Sequence, residues 1–196
     1  MHSLKNKIIS IGIDTGSANG AISVVSEDLK ILLLTKVPTY QTEVKSRRNK
    51  SKLNKETGKF EKDYRKRSWV DFKSTGELLR QYSQAKVIYT LEKATTRPYE
   101  GEAPSFMNGN ALGIFQGIST LLQPEYYYEP LPMVWKTDLG VTSDKKTSIS
   151  LAEEIYQVKL KDYLPKGKLD DIAEALLLSF YGLRQYYIEK GEINGD

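Results

Sequence analysis

Five carboxylates in this chain stand where structure alone gives little reason for them. Asp14 ends the apolar run IISIGID, and Glu92 follows the apolar run KVIYTL. Asp is a poor strand former, so an acid that closes a buried strand needs an explanation. Asp170, Asp171 and Glu174 open the C-terminal helical stretch KLDDIAEALLLSF. At about 100° per residue, these three fall within roughly a third of the helix circumference, and 171/174 and 170/174 are surface neighbours. Bland readings exist for each. Asp and Gly favour turns, which suits Asp14 beside Thr15-Gly16, and acids in a first turn suit the helix macrodipole. The macrodipole accounts for one or two acids, and less well for three beside the nearly all-apolar run Ala173 to Tyr181.

Carboxylates that meet in space repel one another unless cations sit between them. The chain has no cysteine, and its single histidine, His2, lies at the N-terminus. Ser-His or Cys-His catalysis, disulfides and thiolate metal sites are thereby set aside. Metal chemistry must run on carboxylates, which favour the hard cations Mg²⁺ or Mn²⁺. Two such ions about 3.5–4 Å apart activate a water and stabilise the leaving oxygen of a phosphodiester. Asp14, Glu92, Asp170, Asp171 and Glu174 are therefore the candidate ligands.

The elements that must position these acids can be read from periodicity. Ile8–Val25 reads as a β-hairpin whose turn holds Asp14, and Lys30–Pro38 as a third antiparallel strand. Trp69, Val70, Phe72, Leu78, Leu79 and Tyr82 suit a helix from Ser68, with Ser74 and Glu77 as a capping box. Lys86–Leu91 reads as a central strand buried on both faces, and ligand sites gather at the C-terminal ends of such strands. A helix is expected over Ser105–Leu122, with Gly113 and Gly117 on one face. Those glycines would serve core packing against the sheet or, as the sharper reading, a helix–helix dimer contact. Glu125–Leu131 reads as a strand, Val134–Gly140 as a helical turn, Ser143–Tyr156 as a helix with Ser143 as N-cap, and Lys168–Ile188 as the last helix.

Charge is unevenly spread. The 196 residues carry a net +4, but residues 41–67 alone hold 11 of the 29 basic residues against 4 acids. With almost no large apolar side chains, that segment is expected as a flexible loop or loose ribbon. Its clustered cations, including Arg47, Arg48, Lys50, Lys52, Arg65, Lys66 and Arg67, suit a phosphate backbone, whose condensed counterions they would release. A solvated linker is the bland alternative. A basic arm beside an acidic metal site resolves the paradox of a negative site that binds a negative polymer, and the combination means a metal-dependent nuclease. The absence of a long apolar run and of a signal-peptide layout gives the expectation of a cytoplasmic protein.

The segments IGIDTGSANGAISVV, YTLEK and KLDDIAEALLL, in this order and at these intervals, resemble the RuvC-like Holliday junction resolvases of the ribonuclease H-like superfamily, in particular the phage-type members. Further likeness lies in Arg97-Pro98, Gly101, Ser105-Phe106-Met107-Asn108-Gly109 with Gly113, Pro132-Met133-Val134-Trp135-Lys136 and Asp144-Lys145-Lys146. It covers most of residues 7–184 and omits 41–67, which looks like an insertion in a single nuclease domain. The resemblance implies an α/β fold, a five-stranded mixed sheet flanked by helices. It implies a homodimer that nicks two strands of a four-way junction symmetrically with Mg²⁺ or Mn²⁺, two ions per site, in the host cytoplasm if phage-encoded. Asp14, Glu92 and Asp171 match the family's metal-binding acids, and Glu174 stands where the family usually has Asp, so Asp170 could share its work. Lys136, with Lys145 or Lys146, matches basic residues near the scissile phosphate. Arg97 would contact DNA, and Tyr99 or Phe106 would serve as an aromatic wedge at the junction.

Two other classes share part of this pattern. The Ile-Gly-Ile-Asp-x-Gly hairpin also opens the actin/sugar-kinase ATPases, where it contacts ATP phosphates, but those need two such domains, and the late Asp-Asp-x-x-Glu helix has no role there. A non-catalytic junction-binding accessory protein would keep the basic segment and not need the acids.

Overall fold

The computed structural model describes residues 4–16, 20–45, 52–53, 60–61, 64–95 and 101–194. In chain order, strand β1 (Ile8–Asp14) turns back into β2 (Ala21–Ser26), and β2 into β3 (Ile31–Lys36), an antiparallel meander. A two-stranded ribbon follows, in which β4 (Thr39–Lys45) pairs antiparallel with β7 (Tyr64–Val70). Between them, β5 (Lys52–Leu53) pairs with β6 (Phe60–Glu61). Helix α1 (Phe72–Arg80) leads back to β8 (Lys86–Leu91), which lies parallel to β1. Helix α2 (Glu102–Leu122) crosses to β9 (Tyr126–Tyr128), parallel to β8. Then come α3 (Pro132–Asp138), α4 (Lys145–Tyr156), α5 (Leu160–Tyr163) and α6 (Leu169–Glu189). The main sheet has the order β3-β2-β1-β8-β9, so β1 and β8 are central. It is the mixed five-stranded sheet flanked by helices expected from the sequence.

Alternation along the central strands sorts side chains to two different faces. Ile9, Ile11 and Ile13 of β1, with Val87, Tyr89 and Leu91 of β8, bury one face against Leu79 of α1 and Phe115, Ile118 and Leu122 of α2. The other face is small and polar. Ser10, Gly12, Ser23 and Thr90 are buried there beneath α6. Ser10 Oγ donates to the Ser179 carbonyl at 2.8 Å, and Ser23 Oγ to the Ala175 carbonyl at 2.7 Å. A Cβ on Gly12 would overlap the Ala175 carbonyl and stand 2.5 Å from the Ser179 amide, and one on Gly182 would overlap Thr90 Oγ1. The backbone of α6 thus rests directly on the sheet, held by hydrogen bonds where larger side chains would hold it away. Its outer flank packs on Tyr156, Ala152, Leu160 and Trp135.

Several expectations shift. Of the two forms expected for the basic segment, loop or ribbon, its base is the ribbon: β4 and β7 pair in register from Thr39–Val70 to Lys45–Tyr64. Trp69 and Val70 belong to β7, and α1 starts later, capped by Asp71, whose carboxylate accepts from the Ser74 amide at 3.1 Å. Likewise α4 is capped by Asp144, not Ser143. Helix α2 begins a turn early, with Pro104 tolerated in its first turn, where no intrahelical N–H partner is needed. Gly113 and Gly117 do not pack on the sheet, since an added Cβ at either meets no atom within 4 Å. Among the described residues, no helix is long and apolar enough to cross a membrane.

The two kinds of glycine give opposite expectations. Gly12→Ala forces the helix off the sheet and costs about 3 kcal/mol or more, in the range of core overpacking. Gly113→Ala removes a flexible residue from a helix face that is open in the single chain and stabilises the monomer by about 0.5–1 kcal/mol. Urea denaturation of the two variants beside the parent checks both signs.

A carboxylate–lysine cluster as candidate active site

The close contact of α6 with β1 decides where the acids meet. The helix runs antiparallel to the strand, because Ser10 lies under Ser179 and Gly12 under Ala175 and Ser179. Four strand residues from Ser10 to Asp14 advance about 13 Å, and eight helix residues from Ser179 back to Asp171 about 12 Å. Asp14 and Asp171 therefore reach the same end of the molecule. Parallel pairing of β1 and β8 brings Glu92 there as well, its amide donating to the Ile13 carbonyl at 3.0 Å. Across the sheet, Asp14 pairs with Ala21, and Ala21 with Lys36.

Asp14 carries the electrostatic strain of this convergence. Burial first, then the charges of Glu92, Glu174 and Asp171, hold its carboxyl well above the ordinary range. The Gly16 amide, donating to Asp14 Oδ1 at 3.4 Å, offsets part of that. The helix acids meet lysines instead. Lys36 of β3 pairs with Asp171, Lys136 of α3 donates to Glu174 Oε1 at 2.9 Å, and Lys145 of α4 pairs with Asp170. Burial works against the Asp170 charge, but the Lys145 ammonium outweighs it and holds the carboxyl below its usual value.

Trp135 braces the cluster from beneath. Fully buried, it donates its indole N–H to Glu92 Oε2 at 3.3 Å, and Lys136 Nζ lies 5.0 Å from its ring centre. Two cavities open onto the acids. One of about 310 Å³ is lined by Asp14, Glu92, Lys93 and Asn108, and one of about 440 Å³ by Glu174, Lys136, Lys145 and Ser143.

Of the residues singled out in the sequence, Asp14, Glu92, Asp171 and Glu174 are electrostatically coupled, and Lys136 and Lys145 reach the acids. Lys146 is exposed, with its backbone amide on the Asp144 cap. Arg65 and Lys66 are exposed and Arg67 half-buried on β7, while Phe106 is exposed and meets Trp69 edge to face at 6.3 Å. Lys52 belongs to β5. Arg47, Arg48, Lys50, Arg97 and Tyr99 lie outside the described residues. Lys36 is the residue that sequence reasoning missed.

The donor types suit a hard divalent cation, since all are carboxylates. Their placement is another matter. Among the described residues, no three acids converge on one point as a ready ion cage. Ammonium groups hold the helix acids where a cage would need them to approach one another.

Asp14→Asn tests the electrostatic reading. A carboxyl whose folded pKa is raised loses stability as pH climbs from about 4, its unfolded value, up through the folded one. In EDTA the Asn variant should therefore be more stable than the parent by about 1–2 kcal/mol at pH 7. The gain should vanish below about pH 4, where the parent carboxyl is protonated in both states. Thermal melts across that pH range read both.

No family model matches the sequence, and no curated protein does. A solved structure does match: T. thermophilus RuvC in complex with Holliday junction substrate, at 16% identity, over 94% of this chain and 97% of that one, with a TM-score of 0.56. At that identity the likeness shows the architecture: the chain has a RuvC-like, ribonuclease H-like fold.

Proposed function

We propose that this protein is a divalent-metal-dependent endonuclease that cuts branched DNA, four-way junctions included, with paired nicks. The observation that carries the reading is Asp14, half-buried at the end of β1 beside Glu92, where the charges of Glu92, Glu174 and Asp171 all act against its own. Such an arrangement costs stability, and the neutralising charge it lacks is that of a cation. The fold shared with T. thermophilus RuvC, whose solved structure is in complex with Holliday junction substrate, supports the substrate class.

Asp14, Glu92, Asp171 and Glu174, with Asp170 beside them, would hold Mg²⁺ or Mn²⁺, which supplies an activated water and offsets the charge that develops on the phosphate. Every other part is the chain's own. Trp135 fixes the Glu92 carboxylate in place through its indole N–H. Lys136 and Lys145 supply positive charge at the rim, where a scissile phosphate must approach. The β4–β7 ribbon springs from the same end of the sheet, since only Val37 and Pro38 separate Lys36 from Thr39. Its Arg65, Lys66 and Arg67 would grip flanking phosphates and fix the register of the duplex without reading sequence. Paired nicks need two centres, hence a homodimer. The sequence from Ala103 to Gln123 on α2 has no charged residue, and its open Gly113 and Gly117 would let a second copy approach.

Incubation of a labelled four-way junction with the protein and Mg²⁺ or Mn²⁺ should give paired nicks near the crossover. Asp14→Asn should abolish them by at least a hundredfold while junction binding persists. Binding with no nick in either metal would give the non-catalytic accessory reading instead.

Replacing Arg65, Lys66 and Arg67 together by Gln should weaken junction binding and lower the slope of log K against log salt by up to about 2–3. A gel-shift series in KCl measures the slope, and an unchanged value would remove the ribbon from the DNA interface.

A further inference from the structure

The β4–β7 ribbon has two unlike faces. Residues paired across an antiparallel ribbon share a face, and the faces alternate along each strand. Tyr40 lies opposite Trp69, Thr42 opposite Arg67 and Val44 opposite Arg65, so these six side chains form one face. The other face holds Gln41 with Ser68, Glu43 with Lys66 and Lys45 with Tyr64. Two arginines thus stand in line with two aromatic rings. Glu43, the one acid of the two strands, is on the opposite side.

The indole of this face is fixed in place. Trp69 Nε1 donates to Thr42 Oγ1 at 2.8 Å, a diagonal contact across the same face, and the Phe106 ring of α2 meets it edge to face at 6.3 Å. Tyr40 is 50% exposed, Arg65 is exposed and Arg67 half-buried. Among the described residues, no acid pairs with either arginine. Phe106 stands two residues before Asn108, which lines the cavity of Asp14 and Glu92. The face therefore begins near the carboxylate cluster, at Trp69, and runs away from it through Arg67 to Arg65.

A duplex cannot make full use of such a surface, because its bases are stacked inside and show only their edges in the grooves. An unpaired strand can. Each base offers a π-face to an aromatic ring, and the phosphates between bases suit guanidinium groups. An indole already held by Thr42 and Phe106 loses little freedom when a base stacks on it. We propose that Tyr40 and Trp69, with Arg65 and Arg67, bind an unpaired DNA strand by stacking and phosphate contact, so that branches with single-stranded character at the crossover are preferred to fully paired ones. Lys66, on the opposite face, is left for flanking duplex. The preference among branches rests on the branched-DNA reading, whereas the strand contact can be measured with neither junction nor metal.

Anisotropy titrations in EDTA compare a labelled oligothymidylate with a duplex of equal length. Tyr40→Leu keeps an apolar strand residue and removes the ring. It should bind the single strand about five- to tenfold more weakly, with the salt slope and the duplex affinity unchanged. Tyr40→Phe should match the parent. Tryptophan emission should fall as the single strand binds, and the fall should be missing in Trp69→Phe, since the other tryptophan, Trp135, is fully buried. An equal loss of single-strand and duplex affinity in Tyr40→Leu, or no loss of either, overturns the stacking and leaves the rings as struts between ribbon and α2. Tighter binding of oligouridylate than of oligothymidylate overturns the assignment to DNA. A fully paired four-way junction is then compared with one that carries a single-stranded flap at the crossover. The parent should prefer the flapped form several-fold, and Tyr40→Leu should lose the preference. Equal binding of both forms by the parent overturns the preference. If the parent binds neither, the branched-DNA reading falls, while the oligonucleotide titrations still decide whether the ribbon takes an unpaired strand.

Discussion

The direct seating of α6 on β1 and β2 is the constraint on which the rest depends. Most helix–sheet contacts are filled by large apolar side chains. Here the contact is Gly12, Gly182 and a chain of serine hydrogen bonds, in which Ser23 Oγ lies 2.5 Å from Ser179 Oγ. Each such bond is worth only about 1 kcal/mol net. Their value is positional, since a bond from Ser10 to the Ser179 carbonyl fixes both the height and the axial register of the helix. A slip of one residue along α6 would rotate its acids by about 100° and carry them 1.5 Å along the axis. The acids of α6 face Asp14 only because nothing bulky lies between helix and strand.

That register has an electrostatic cost, and the molecule shows two ways to meet it. On α6 the charges are compensated locally, with a lysine for each acid. At Asp14 burial and three like charges act together, and a single amide contact opposes them. The difference follows from the elements. An α6 acid lies at a helix start on the rim, where lysines from β3, α3 and α4 can reach. Asp14 lies at the end of a central strand, flanked by β2 and β8, with Glu92 beside it, and among the described residues no lysine pairs with it. The innermost carboxyl is thus left strained while the outer ones are countered one by one.

The sequence revealed whatever is encoded by local periodicity. Ile9, Ile11 and Ile13 alternate with Ser10, Gly12 and Asp14, and that pattern gave β1, its hairpin and the acid at its end. It also held the other half of the story, because the small residues between the isoleucines mark the face where α6 lies close. The ribbon was harder. Neither Thr39–Lys45 nor Tyr64–Val70 has an apolar face, and their pairing rests on long-range contacts, such as Trp69 Nε1 on Thr42 Oγ1 at 2.8 Å and Trp69 against Phe106. The caps slipped for a related reason. Asp71 and Ser74, or Ser143 and Asp144, are both competent caps, and the choice between them depends on where the preceding chain leaves the sheet. Lys36 could not be found at all. A lysine that ends an apolar strand usually reaches solvent, and its partner Asp171 lies 135 residues further along the chain.

The distribution of charge then has one explanation for two unlike regions. Strand β7 of the ribbon is basic and extends from the sheet edge, while the acids gather at the start of α6 and beside the ends of β1 and β8. Were the acids uncompensated, the field at the mouth of the site would be negative, opposite in sign to that of β7. With Lys36, Lys136 and Lys145 on the α6 acids, the rim presents ammonium groups, and the negative charge sits behind them at Asp14 and Glu92. The same three side chains that counter the acids of α6 thus carry the positive sign of β7 on to the rim of the carboxylate cluster.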